Sequence, residues 1–346
     1  MSKTNILWYF LLILFFWGCL SKSESSSPDQ LSLQGKELKV KEFINPAYLE
    51  VYNSWLLVTK HYTDKKALCI IDLADLSVLS NAIKKGRGPG EMANPANMVV
   101  DEGHGILWFS DFGKNEIIRF PLDSLAANPN YKPIKSFPLN PAWIPTMNMF
   151  YYPSGCIGFT SVMIQKNLIS FMNLQGQLVD SMAVPNKIYP DLWKDGGISD
   201  NPLICRYIPD YDRIILASRY ENKLSVIDME GNAIFQKEDF PTKISSEQSL
   251  GSYRTFYSTE ADEVFIFLLY SGRMMQEYDS DLGSSVIHYP NRLLVIDWKG
   301  QERYDISLDH PLVTMRLDRL GRRLIGLTED FDNNLVSYDL SGLYKD

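Results

Sequence analysis

The chain has 346 residues, of which 45% are hydrophobic, 12% aromatic and 22% charged; 34 Lys and Arg against 42 Asp and Glu give a formal net charge of −8. The apolar content excludes wholesale disorder, the length allows one large or two medium domains, and the missing basic surplus argues against a nucleic-acid binder. The 21 Gly and 18 Pro are spread along the chain, as expected where turns recur at intervals.

At the start, Lys3 precedes an unbroken apolar run over residues 6–17, and Gly18-Cys19 follows directly. Such a run falls short of the roughly 20 residues that span ~30 Å of hydrocarbon. A positive start, a short apolar core and a small residue before the break describe an export signal over residues 1–18. Phe16-Trp17-Gly18-Cys19 resembles a bacterial lipobox, although Trp17 is bulkier than the usual small residue there. The resemblance implies lipidation of Cys19; the alternative is an ordinary secretory signal with an incidental cysteine. Residues 19–35 are rich in Ser and read as a tether that holds the folded body, residues 36–346, off the membrane. Removing residues 1–18 removes Lys3 and no acid, so the mature balance is −9 and anchoring would come from acyl chains, not from a polybasic patch. The three remaining cysteines, Cys69, Cys156 and Cys205, cannot complete a disulfide framework and have no metal-ligand spacing, which leaves buried free thiols as the expectation.

Next comes Lys36-Glu-Leu-Lys-Val-Lys-Glu-Phe43, which alternates as a half-buried strand should. From there a pattern returns six times: a β-rich apolar run, then Asp, Asn or Pro, then a turn. The copies are Leu68-Cys-Ile-Ile-Asp72, Glu116-Ile-Ile-Arg-Phe120-Pro, Leu168-Ile-Ser-Phe-Met-Asn173, Leu224-Ser-Val-Ile-Asp228, Leu293-Leu-Val-Ile-Asp297 and Leu335-Val-Ser-Tyr-Asp339. The last four share an Asx-x-x-Gly turn, ending at Gly176, Gly231, Gly300 and Gly342, the composition of a tight turn between antiparallel strands. Counting from residue 72 with 121 as the second anchor, the intervals are 49, 52, 55, 69 and 42 residues, close to the ~40–50 of a propeller blade. Upstream of each copy lie two strands around a turn, at 48–60, 97–111, 150–160, 203–219, 255–270 and 315–330. Each unit is therefore a four-stranded antiparallel meander, and no long stretch of helical periodicity interrupts the body.

Six such meanders must hide their edges, and a β-propeller does so by radial packing. The expectation is an all-β, six-bladed β-propeller of four-stranded antiparallel blades. The last unit has only three strands of its own, so the strand at 36–43 is expected to complete blade six and close the ring.

Lys85-Gly-Arg-Gly-Pro-Gly-Glu91, then Pro95 and Val99-Val100-Asp101, resembles the loop leading into a new blade in the TolB-like six-bladed propeller lipoproteins of Bacteroidota. With the lipobox, the Ser-rich stretch and the six units, the resemblance covers essentially the whole chain. It implies an envelope lipoprotein, lipid-anchored and most simply at the outer membrane, with no activity fixed by the fold.

Chemistry-bearing residues are few. Gly86, Gly88 and Gly90 lack the Walker lysine and hydroxyl and are followed by strands, so an inter-blade turn is favoured over a phosphate loop, with Arg87 and Glu91 left as candidate partner contacts. His61, His104, His288 and His310 show no zinc-ligand spacing, and no Gly-x-Ser-x-Gly elbow is present. Asp101, Asp210 and Asp318 could suggest a calcium-dependent lactonase channel, but each falls at a hairpin turn. Arg206, Arg254 and Arg316 come from the innermost strands of blades four, five and six and form either an anion-attracting mouth or ion pairs with Asp210, Glu260 and Asp318. The long excursion at 271–291 is a candidate binding loop with Met274, Met275, Tyr278, His288 and Tyr289, next to Tyr253, Arg254 and Tyr257. These residues point to a non-enzymatic binding or scaffold propeller for a protein or glycan-type partner, monomeric, without a cofactor, metal site or nucleic acid. A propeller enzyme of the lactonase, lyase or hydrolase type is the alternative.

Overall fold

The computed structural model describes residues 27–42, 44–60, 65–133, 136–138, 146–152, 154–161, 169–182, 203–219, 221–241, 253–279 and 283–344. The export signal, Cys19, His61 and the first part of the Ser-rich stretch lie outside the described residues.

Among the described residues the chain forms six small antiparallel sheets arranged as the blades of a β-propeller. The innermost strands, one per blade, are Pro46–Tyr52, Pro95–Asp101, Thr146–Tyr152, Leu203–Ile208, Tyr253–Ala261 and Thr314–Asp318. Each pairs with the next strand in sequence, and that one with a third, so the blades are meanders numbered outward from the axis. All six recurrent apolar runs fall on third strands: Lys66–Asp72, Glu116–Pro121, Ile169–Asn173, Leu224–Asp228, Arg292–Asp297 and Leu335–Asp339. One short helix, Leu122–Ala127, follows the third strand of blade two and buries Leu122 and Leu125 between blades one and two.

The apolar core is divided among the seams between blades. Six clusters of buried side chains occur, and each joins two adjacent blades. Strand alternation accounts for this: Ile214 and Leu216 face blade three while Ile215 and Ala217 face blade five. A strand packed on both sides reads as a continuous apolar run, which is what Ile214-Ile-Leu-Ala217 and Leu293-Leu-Val-Ile296 are.

The Asx-x-x-Gly turns are built as their composition requires. Asp228 Oδ1 accepts from the Asn232 backbone N–H at 2.7 Å, and Asp297 Oδ1 from that of Gln301 at 2.9 Å. Their glycines sit at φ +87° (Gly231) and +81° (Gly300), where a side chain would be strained. The last copy differs: Asp339 caps the Ser341 N–H at 2.8 Å, but the chain then enters a 3-10 turn, Ser341–Tyr344.

Ring closure is more extensive than the sequence suggests. Of the segment 36–43, Lys36–Glu37 pairs antiparallel with the third strand of blade six as its fourth strand. The Leu38 backbone N–H adds a bond to the Leu335 carbonyl at 3.0 Å. Within the stretch read as tether, Asp29–Leu33 is a further strand, pairing parallel with Glu302–Leu308 as a fifth strand of blade five. Gln30 and Leu33 explain the attachment, since Gln30 Nε2 donates to Asp305 at 3.0 Å and Leu33 packs on the blade five–six seam.

Cys69 and Cys205 are buried free thiols, both pushed up to about 12 by burial, and Cys156 is half-buried and free.

Candidate functional site

Inner strands place side chains on the axis, and the axis of this propeller is charged at its middle. Glu50 of blade one, Arg206 of blade four, Glu260 of blade five and Arg316 of blade six form a closed ion-pair ring. Arg206 holds Glu50 as a fork, Nη1 to Oε2 at 3.1 Å and Nη2 to Oε1 at 3.0 Å, and Arg316 Nε reaches the same Oε2 at 3.3 Å. On the other side Glu260 meets Arg206 at 3.2 Å and Arg316 at 3.3 Å. Both carboxylates are almost wholly buried. Two acids and two bases cancel, which is what makes four charges tolerable in the interior of the ring.

The two carboxyls titrate in opposite directions. Burial raises the Glu50 carboxyl, but Arg206, Arg316 and the Val51 backbone N–H outweigh it and bring the group down to about 2. Glu260 also has both cations as neighbours, yet its Oε1 accepts no hydrogen bond of good geometry and Glu50 opposes its charge, so burial wins and its pKa is raised. Burial works against the Arg206 cation, and Glu260 and Glu50 more than compensate.

The ring separates two chambers. One, about 200 Å³, opens at the face carrying the turns between first and second strands. Val51, Val99, Met149, Tyr151 and Tyr207 give it apolar and aromatic walls, and Glu50 and Arg206 form its floor. At its lip, His104 Nδ1 lies 2.9 Å from Asp101 Oδ2, and Arg319 donates to Asp210 at 2.7 Å and to the Ala261 carbonyl at 3.1 Å. The other chamber is about 80 Å³ and polar, with Asn97, Asn148, Ser258, Thr259 and Arg316 on its walls.

The arginines singled out from sequence divide. Arg206 and Arg316 are on the axis and are both engaged with Glu50 and Glu260; of the acids considered from sequence only Glu260 pairs with any of the three arginines. Asp318 instead takes Arg323 at 2.8 Å, and Asp210 takes Arg319. Arg254 does not join the ring; its guanidinium lies over the Tyr257 ring, 4.9 Å from the centroid. Tyr253 and Tyr278 lie on the strands Tyr253–Ala261 and Gln276–Asp279, their side chains outside the described set. The excursion is a β-ribbon, Gln276–Asp279 against Ser284–Ile287, and His288 closes its base by approaching Glu277 at 3.3 Å.

Glu91 is a loop organiser: it accepts from the Gly88 N–H at 2.9 Å and from Lys84 Nζ at 2.7 Å, and these bonds lower its pKa. Gly90 sits at φ +74°, in keeping with a structural turn. Arg87 is exposed beside an open cleft of about 410 Å³ lined also by Lys114 and Pro133. Among the described residues no cluster of three His, Cys, Asp or Glu has the geometry to hold a metal ion, and no helix is long and apolar enough to cross a membrane.

Glu50 was missed by sequence reasoning because its partners are 156 and 266 residues away. A signal existed: Glu50, Arg206 and Arg316 each stand two residues before the end of an inner strand, and Glu260 one before. Aligning the repeats on strand ends brings the four together.

No protein-family model matches the chain, and no curated protein matches its sequence. Solved structures do. A protein of Bacteroides fragilis NCTC 9343, described as a candidate exported protein, superposes with a TM-score of 0.57 at 11% identity, over 89% of this chain and 93% of that one. A member of the DUF4221 family from Bacteroides vulgatus ATCC 8482 superposes with a TM-score of 0.56 at 9% identity, over 89% and 94%. At such identities the likeness is one of fold, and what the chain shares with these proteins is the β-propeller architecture, here six-bladed.

Proposed function

We propose that the protein is an exported, lipid-anchored propeller that binds a protein or glycan-type ligand at the mouth of its channel without transforming it. The 200 Å³ chamber carries the reading: apolar and aromatic walls with a few convergent polar groups are the usual make-up of a recognition site. Its floor is made of charges that neutralise one another, so the chamber offers shape and a polar lip more than a reactive group. The signal-like start with Gly18-Cys19 supports export and anchoring, and the exported Bacteroides neighbour is consistent with it.

Two experiments test this. Replacing Cys19→Ser should release the body from membranes into the soluble fraction; retention in the membrane pellet would rule out acylation as the anchor. Pulldown from the native envelope should recover a partner, and the exposed-lip variant Glu102→Ala/His104→Ala should lose it with an unchanged melting temperature. Recovery undiminished by that variant would move the site elsewhere.

One observation favours the enzymatic alternative. A buried pair of carboxyls with pKa values driven apart, Glu50 down and Glu260 up, has the division of roles found in acid–base catalysis. Turnover of a lactone or uronic acid that disappears in Glu260→Gln, with no partner recovered, would establish it in place of the binding reading.

A further inference from the structure

At the opposite end of the blade-five inner strand from Glu260, two arginines meet that have no ion pair among the described residues. Arg254 and Arg273 are directly opposite each other on the first and second strands of the blade. Like charges in that position repel and weaken a sheet. Other arginines of these blades have a carboxylate: Arg206 and Arg316 on inner strands and Arg292 on the third strand of blade five. Neither Arg254 nor Arg273 forms an ion pair among the described residues, and the Arg254 Nε is buried without a hydrogen-bond partner. Two acids of this region have partners of their own: Glu329 accepts from Tyr289 Oη at 3.2 Å, and Glu277 approaches His288.

The surroundings fix the two guanidinium groups in place. The Arg254 guanidinium stands over Tyr257, whose hydroxyl donates to the His288 carbonyl at 3.0 Å. A guanidinium carries five N–H donors, more than these contacts use. Arg273 Nη2 donates to the Tyr289 carbonyl at 3.1 Å, while the residue as a whole is exposed. A third arginine, Arg219, is drawn alongside by the Thr255 N–H, which bonds its carbonyl at 2.7 Å. Burial raises the Tyr257 phenol, and Arg254, Arg273 and Arg219 all act against that rise, so the three cations share one small region.

We infer that Arg254 and Arg273, with Tyr257 as their platform, form a binding site for an oxyanion, the carboxylate or phosphate group of a small ligand. The oxyanion would relieve the cross-strand repulsion and supply the acceptor that the protein itself withholds. On a chain of net charge −8 such a site selects anions locally against the general field. This inference does not rest on the channel-mouth reading, since the site is at the other end of the strand.

The test is calorimetric titration of the full soluble body with sodium phosphate and, separately, sodium glucuronate, at ionic strength held constant with chloride. Saturable binding of at least one anion is expected, weakened about tenfold or more in Arg273→Ala, as the loss of a charge-assisted bond implies. Arg254→Lys keeps the charge but removes the planar fork, and should weaken binding as well. Which anion binds identifies the ligand group as phosphate or carboxylate. Because Arg273 is exposed, its variant should retain the parent melting temperature. Absence of saturation with both anions at millimolar concentration, or equal affinity in the parent and Arg273→Ala, would overturn the site.

Discussion

Glu50→Gln is expected to lower stability by about 3–5 kcal/mol, because it strands two half-buried guanidinium groups with one carboxylate between them. In a protein of this size the melting temperature should fall by roughly 5–10 °C. The ring predicts a compensation as well: Glu50→Gln combined with Arg316→Met restores equal numbers of acids and bases and should recover most of the loss. A melting temperature for Glu50→Gln within a degree of the parent, or a double variant worse than the sum of the singles, would contradict the ring as a coupled unit. The same cluster predicts a pH response. Glu50 falls from the ordinary glutamate value of 4.5 to about 2 in the folded state, so its contribution is complete above about 5 and is lost as pH drops from there toward 2. Glu260 acts oppositely, since its folded pKa is raised and protonation relieves its burial. Acid titration of the melting temperature should therefore show a loss below pH 5 that is absent in Glu50→Gln.

Removing the first strands should have a comparably large effect. Deletion through residue 28 leaves every described strand intact and should not change the melting temperature. Deletion through residue 34 takes away the parallel strand Asp29–Leu33 and uncovers the outer edge of blade five. Deletion through residue 38 also removes Lys36–Glu37 and the Leu38 side chain from the seam between blades six and one. The last should cost more than 10 °C or yield aggregate, because an exposed strand edge and an unfilled seam act together. An unaltered melting temperature in that form would mean that the ring does not depend on this closure.

The blades were legible because their signals are local. An apolar run followed within a few residues by a turn encodes a third strand without reference to the rest of the chain; four of the six are marked by Asx-x-x-Gly and the other two by their apolar run and spacing. The closing strand was legible in position but not in length, since Leu38 and Val40 alternate with Lys39 and Lys41 like a longer strand, of which the structure uses two residues, Lys36–Glu37. Asp29–Leu33 was hidden by its neighbours: the alternation of Leu31 and Leu33 is too short to stand out from Ser-rich sequence, and parallel pairing with Glu302–Leu308 has no turn to announce it. The channel was the least legible part. Glu50 is a lone acid in Ala47-Tyr-Leu-Glu-Val-Tyr52, and what makes it meaningful is three residues on blades four to six. Asp318 illustrates the converse, a residue whose obvious neighbour Arg316 turns to the axis while Arg323, one strand over, becomes its partner.

A fold whose apolar interior is parcelled into six seams also has an evolutionary corollary. Each seam requires apolar side chains at alternating positions and a fitting total volume, and many different residues meet that demand. No single central apolar core must be kept together, so apolar substitutions in one seam can be absorbed there without disturbing the other five. Such a ring can change in sequence, seam by seam, while keeping its outline. The superposition at 11% identity over nine-tenths of both chains shows one outline built from different side chains.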